Sequence, residues 1–247
     1  MKIECRNIEK KFAGVESRPA LSLNLVIPAA QFLVVIGPNG SGKTTLLNIL
    51  SGAVVPDSGA VLFDGREAPP REHLRSRRVA RVFQDPLKGT APGMTILENF
   101  RLAAIRSKPK RLVNGMRSVF RRQVAERIAA LGLGLENKLD QQAGLLSGGQ
   151  RQALSLLMST MDQPGMLLLD EPSAALDPHA SIVIMELAGK VIAESGLTAV
   201  LVTHNLKDAL KYGSRLICLR EGRIAEDIAS ENKMKLQVQD LQRWFDD

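Results

Sequence analysis

The chain has 247 residues, 45% of them hydrophobic, a formal net charge of +7 and two cysteines. This suits one large α/β unit whose core needs no disulfide or metal staple. Excess Lys and Arg fits a phosphate-bearing ligand, an anionic lipid surface or nucleic acid, while 4% aromatic content with one Trp and one Tyr argues against stacking platforms for single-stranded nucleic acid.

The amino terminus, MKIECRNIEKKF, lacks the apolar core of a signal peptide, and no apolar run approaches the ~18 residues of a membrane helix. A cytoplasmic chain, or one on the cytoplasmic face of a membrane, is expected. Ile3 and Cys5 begin an alternating strand. Leu21, Leu23, Leu25 and Ile27 form another, so an antiparallel β-layer is expected first. Phe32–Ile36, Met166–Leu169 and Leu197–Val202 are continuously apolar, as strands covered on both faces are. Helical stretches at Thr44–Leu50, Pro178–Glu194 and Asn205–Tyr212 alternate with them, which predicts βαβ units and a parallel sheet. Between Asp85 and Met161 the chain reads as helices, Thr95–Arg106, Arg117–Leu133 and Gly148–Met161, entered through a loop marked by Pro86, Pro92 and Gly93. The division expected is an α/β core over 1–84 and 162–247 with a helical insertion over 85–161. Val238–Phe245 predicts a short amphipathic tail helix with Trp244 packed back on the body, and Cys5 and Cys218 read as core thiols. No internal repeat appears.

Strand Phe32–Ile36 runs into Gly37-Pro38-Asn39-Gly40-Ser41-Gly42-Lys43-Thr44-Thr45 and then a helix. This is the phosphate-binding G-x-x-x-x-G-K-[ST] pattern in its strand–loop–helix setting. Glycines let successive backbone N–H groups converge on phosphate oxygens, and the helix adds its positive dipole end. Lys43 would serve the outer phosphates and the Thr44 hydroxyl a Mg²⁺ ion. The apolar strand Met166–Leu169 delivers Asp170 and Glu171 at its carboxyl end, where ligands of open α/β sheets sit. Asp170 is a candidate Mg²⁺ ligand and Glu171 a candidate general base.

Leu146-Ser147-Gly148-Gly149-Gln150 opens a helix, and its Ser147 can cap that helix. Gln84 follows the strand Val79–Phe83, Ser173-Ala174-Ala175-Leu176-Asp177 follows the acid pair, and His204 ends the strand Leu197–Thr203. With these six motifs in order from Ile3 to about Arg223, the chain resembles the ABC ATPase family. The resemblance implies a P-loop NTPase (RecA-like) core with an antiparallel β-subdomain and an inserted α-helical subdomain. It also implies ATP hydrolysis with Mg²⁺ at a head-to-tail dimer. Gln84 would touch Mg²⁺ and the attacking water, and His204 the γ-phosphate. Ser147, Gly148, Gly149 and Gln150 would meet the ATP bound by the partner's P-loop, and the loop ending at Asp177 would cross the interface. Phe12 stands where the family stacks an aromatic on adenine, and a core role for it is equally open.

A single short unit of this family resembles the separate motor of a bacterial transporter. That implies integral membrane permease partners docking near Gln84–Asn99, with a substrate-binding protein in an importer. An iron–sulfur-assembly ATPase and an exporter motor are the alternatives. "LGLGLENKL" and "GLLSGGQRQALSLLM" look like an importer subgroup linked in part to aromatic amino acids, although Pro172-Ser173 departs from that subgroup. The basic stretch Arg101, Arg106, Lys108, Lys110, Arg111, Arg117, Arg121, Arg122 reads as a solvated face or a contact with anionic headgroups. Nucleic acid is not expected as a partner.

Overall fold

A computed structural model describes residues 1–12, 19–108 and 118–246. Alternating apolar residues in β1 (Ile3–Lys10) and β2 (Leu21–Ile27) begin an antiparallel layer that β4 (Ser58–Phe63) and β5 (Arg66–Glu67) complete, in the order β2-β1-β4-β5. The continuously apolar β3 (Phe32–Ile36) stands instead in a second sheet, with β6 (Val79–Val82), β7 (Met166–Asp170), β8 (Thr198–Val202), β9 (Arg215–Arg220) and β10 (Arg223–Ala229). Its order is β10-β9-β3-β8-β7-β6; neighbours from β9 to β6 run parallel, and β10 pairs antiparallel to β9.

The second sheet is apolar on both faces because both are covered. Leu33, Val35, Leu168, Val200, Val202 and Ile217 face one cluster shared with the antiparallel layer and with α1 (Lys43–Ser51). Their alternates Val34, Ile36, Leu167, Leu169, Leu201 and Cys218 face another. This second cluster is closed by α6 (Pro178–Ser195), α7 (Leu206–Lys211) and α9 (Val238–Asp246), with α2 (Glu72–Arg75) and α8 (Ser230–Lys233) as single turns elsewhere. Cys5 lies in the first cluster and Cys218 in the second, both as buried free thiols. Burial pushes the Cys5 thiol up to about 12, so it is inert.

Helices α3 (Ile96–Ala104), α4 (Ser118–Ala129) and α5 (Gly148–Ser159) share a third cluster around Phe100, Val124, Ile128, Leu139 and Leu154. Thr95 and Ser147 start α3 and α5 with reciprocal capping boxes to Glu98 and Gln150, each satisfying orphan N–H groups of a first turn. Helix α5 joins two parts of the molecule: Leu154 and Leu157 face the helical cluster, while Leu156 faces the sheet. The predicted helix Arg117–Leu133 is shorter as found. It ends at Ala129, and Gly132 and Gly134 take positive φ of 64° and 65° just beyond, a backbone that stops a helix. Lys110, Arg111 and Arg117 lie outside the described residues.

The tail packs back as predicted. Leu241 is fully buried, Trp244 and Phe245 lie against the second cluster, and Arg220 donates to the Trp244 carbonyl at 2.6 Å. Among the described residues no helix is long and apolar enough to cross a membrane.

Candidate functional site

Strands β3, β6, β7 and β8 end at one edge of the sheet, and the loops leaving them carry the candidate residues. After β3 the chain folds into Gly37–Gly42 and enters α1. Gly37 has φ 147°, and a Cβ there would lie 2.1 Å from the Leu219 carbonyl oxygen; Gly42 has φ 101° and would meet the Ala20 oxygen at 2.7 Å. Only glycine fits either place. Gly42 caps α1 without a side-chain bond, so the N–H groups of the first turn stay free for an anion.

Lys43 is buried and donates from Nζ to the Gly37 and Pro38 carbonyls, at 2.7 and 2.9 Å. Burial pushes its ammonium below the ordinary lysine value, against the pull of Glu171 and Asp170. A cation so held, beside a loop of converging N–H groups, favours a multiply charged anion. The buried Ser41 hydroxyl has no hydrogen-bond partner among the described residues, so the loop has spare polar capacity. These features fit a polyphosphate.

The acids come from β7. Residues 81 and 170 lie on the same sheet face, because Arg81 is in register with Leu168 and Asp170 is two residues further on. Arg81 Nη2 pairs with Asp170 Oδ2 at 2.6 Å, Nη1 donates to Asn48 Oδ1 of α1 at 2.7 Å, and the guanidinium lies 4.9 Å from the Phe83 ring centroid. Sequence reasoning passed over Arg81; a lone arginine inside an apolar strand was its only signal. Asp170 Oδ1, the Thr44 hydroxyl and the Gln84 amide oxygen are all hard oxygen donors, the set Mg²⁺ prefers when it takes few protein ligands. These residues therefore fit that ion.

Glu171 sits in the left-handed region at φ 45°, a strained conformation for a non-glycine. Its N–H donates to the Val202 carbonyl at 3.0 Å. Its Oε2 lies 3.0 Å from His204 Nδ1 and accepts from Gln84 Nε2 at 3.3 Å. The structure thus brings Gln84, Glu171 and His204 together at the edge that also carries Lys43 and Asp170.

Ser147, Gly148, Gly149 and Gln150 lie elsewhere. Their loop packs on the start of α6, with the position of a Gly149 Cβ 3.0 Å from Ala180 Cβ and that of a Gly148 Cβ 3.5 Å from Leu176 Cδ2. Among the described residues no hydrogen bond or ion pair joins Ser147–Gln150 to the Gly37–Thr45 loop. Asp177 caps α6, accepting from His179 and Ala180 N–H at 3.1 and 3.0 Å through Oδ1. Phe12 is 43% exposed, with Lys10 Nζ 5.7 Å from its ring centroid; its exposure rules out the core role.

A family model described as "ABC transporter" matches residues 21–174. The tyrosine transport ATP-binding protein of Clostridioides difficile (strain R20291) is 39% identical over 99% of this chain and 98% of its own length. The aliphatic sulfonates import ATP-binding protein SsuB 1 of Rhizobium johnstonii is 38% identical, covering 92% and 76% of the two chains. Among solved structures, a dimeric post-hydrolysis state of the ATP-binding cassette MJ0796 bound to ADP and Pi is similar. It has a TM-score of 0.78 and 29% identity, and the match covers 92% of this chain and 98% of that one.

Proposed function

This chain belongs to the ABC transporter family, as an ATP-hydrolysing subunit of the import type, and on that premise we propose that it works as a head-to-tail dimer beside separate membrane-spanning permease subunits. The observation that carries the proposal is the split of the site. Lys43, Asp170, Glu171, Gln84 and His204 share one edge of the sheet, while Ser147–Gln150 are bonded to none of the P-loop. A second copy presenting Ser147, Gly148, Gly149 and Gln150 completes the site, with the loop ending at Asp177 lining the interface. The dimeric cassette that resembles this chain supports that arrangement.

In this reading Gly37–Thr45 and Lys43 hold the phosphates of ATP and the exposed Phe12 ring faces the adenine. Thr44, Asp170 and Gln84 would hold Mg²⁺, which would neutralise phosphate charge. Glu171 takes the proton of the attacking water, and Gln84 and His204 orient its carboxylate. The nucleophile is water, so catalysis rests on positioning and charge. The N-terminus of the partner's α5 adds N–H groups toward the γ-phosphate, a favourable dipole end.

The segment 85–161 is the helical part against which the permeases dock, near Gln84–Asn99, and the protein lies peripheral to the membrane. The cargo proposed is a small solute of the amino-acid class, supported by the full-length relative named for tyrosine transport. Capture of the tagged protein from gently solubilised membranes of its source tests this. Recovery of an integral permease, together with a binding protein that titrates with L-tyrosine or a related amino acid, is the expected result. Recovery only with soluble assembly proteins would contradict transport.

A further inference from the structure

Gln152 lies in the second turn of α5 and is fully buried. Its Nε2 donates to the Phe83 carbonyl at 2.8 Å and to the Pro172 carbonyl at 2.9 Å. Both partners can only accept, so the amide nitrogen must face them. Oε1 is then turned into the interior, where it has no hydrogen-bond partner among the described residues. A buried acceptor left unmade is costly, and an apolar residue of similar length would avoid that cost. The two donated bonds are what the position gains from glutamine.

The two carbonyls belong to the turns that carry the candidate catalytic groups. Phe83 immediately precedes Gln84, and Pro172 immediately follows Glu171. Glu171 is the residue in the strained left-handed conformation, and such a conformation persists only where surrounding contacts over-determine it. Its own N–H is held by Val202 and its carbonyl by the Ala174 N–H at 3.1 Å. Gln152 supplies the hold on the far side of the turn. The same amide fixes the backbone before Gln84, whose side chain reaches Glu171 Oε2.

We propose that Gln152 is a positioning residue that sets Glu171 against Gln84 and ties both to the helix begun by Ser147. Helix α5 is a rigid element, and Gln152 lies five positions after its cap, Ser147. Under the dimer reading above, on which this rests, the cap meets the partner's nucleotide while Gln152 holds the acid of its own site. A displacement of α5 therefore moves Glu171 and Gln84 together.

The test uses Gln152→Met, which keeps the side-chain length and removes both donors. Leu156→Met is the control, on the same helix but buried against the sheet. Steady-state phosphate release gives kcat and KM, and thermal melting gives stability. Gln152→Met should lower kcat by about ten- to a hundredfold, the cost of misplacing a reacting group, with KM for ATP within about twofold of wild type. Leu156→Met should leave both within about twofold, as a volume-conserving swap does. Gln152→Glu, isosteric and able to donate once in its neutral form, should give a kcat between those of Gln152→Met and wild type. A kcat for Gln152→Met within twofold of wild type overturns the assignment. So does a loss that tracks KM and melting temperature together. Wild-type kcat in Gln152→Glu overturns it even if Gln152→Met fails to fold. In a Glu171→Gln background, ATP should still drive dimerisation with Gln152→Met present. If Glu171→Gln alone shows no ATP-driven dimer, the dimer reading itself falls, and this inference with it.

Discussion

Arg81 illustrates how one side chain can organise several elements. Its guanidinium touches Asp170 on β7, Asn48 on α1 and the ring of Phe83, with both members of the ion pair more than four-fifths buried. Removing one partner of such a pair leaves a desolvated charge unmatched, which costs more than removing both. A double-mutant cycle of Arg81→Met and Asp170→Ala should therefore be non-additive, with a coupling of about 1–3 kcal/mol in unfolding free energy. Additive losses would show that the pair contributes nothing of its own. The candidate residues with a sequence signature were those whose chemistry is local: the glycines and Lys43 of the P-loop, the acids after an apolar strand, the capping Ser147. Arg81 and Gln152 escaped because their meaning lies in contacts with residues 89 and 69 positions away. Phe12 was open in the sequence, and its exposure decides against the core.

Among the elements, the buried strands were legible because covering a sheet on both faces removes the polar alternation. β3, β7 and β8 fall where the apolar runs predicted them. The edge strand β10 carried no such signal, because it is largely exposed, whereas β9 shows it only in the short apolar run Leu216–Leu219 around Cys218. Helix α1 is held at both ends. Its start is the phosphate loop. At its far end the buried Arg75 donates to the Ile49 and Leu50 carbonyls at 2.5 and 3.2 Å, placing a cation at the negative end of the helix dipole.

The tail is pinned by a comparable device. Lys233 is buried and donates to the Tyr212 and Gly213 carbonyls. Burial pushes its pKa from the ordinary 10.5 down to about 8. Between those values the unfolded chain binds more protons than the folded one, so this group's penalty is full below pH 8 and is relieved as pH rises toward 10.5. The unfolding free energy of wild type relative to Lys233→Met should therefore rise across that window. Parallel pH profiles for the two proteins would show that the buried ammonium is not destabilised.

At the scale of the whole molecule, the fold class followed from the change of pattern along the chain: alternating strands first, continuous ones after, and helices between Asp85 and Met161. What a single sequence could not display is which surfaces meet. In this structure the cavity lined by Ser147, Gly149, Leu176, Asp177 and His179 adjoins the Ser147–Gln150 loop, and the P-loop bonds are made elsewhere. Under the dimer proposed above, a two-fold axis would set the P-loop of each subunit against the Ser147–Gln150 segment of the other and so complete both sites.

That arrangement is most directly tested by complementation between two inactive variants. Lys43→Ala removes the P-loop charge, and Ser147→Arg blocks the segment offered to the partner; each alone should lose nearly all ATP hydrolysis. When the two are mixed, both lesions fall in the same composite site, leaving the other intact. Mixing should thus restore activity, approaching one working site per mixed dimer. A chain carrying both changes, mixed with wild type, should place one lesion in each site and contribute nothing. No recovery from the two single variants, or recovery equally from the double variant, would contradict a site shared between subunits.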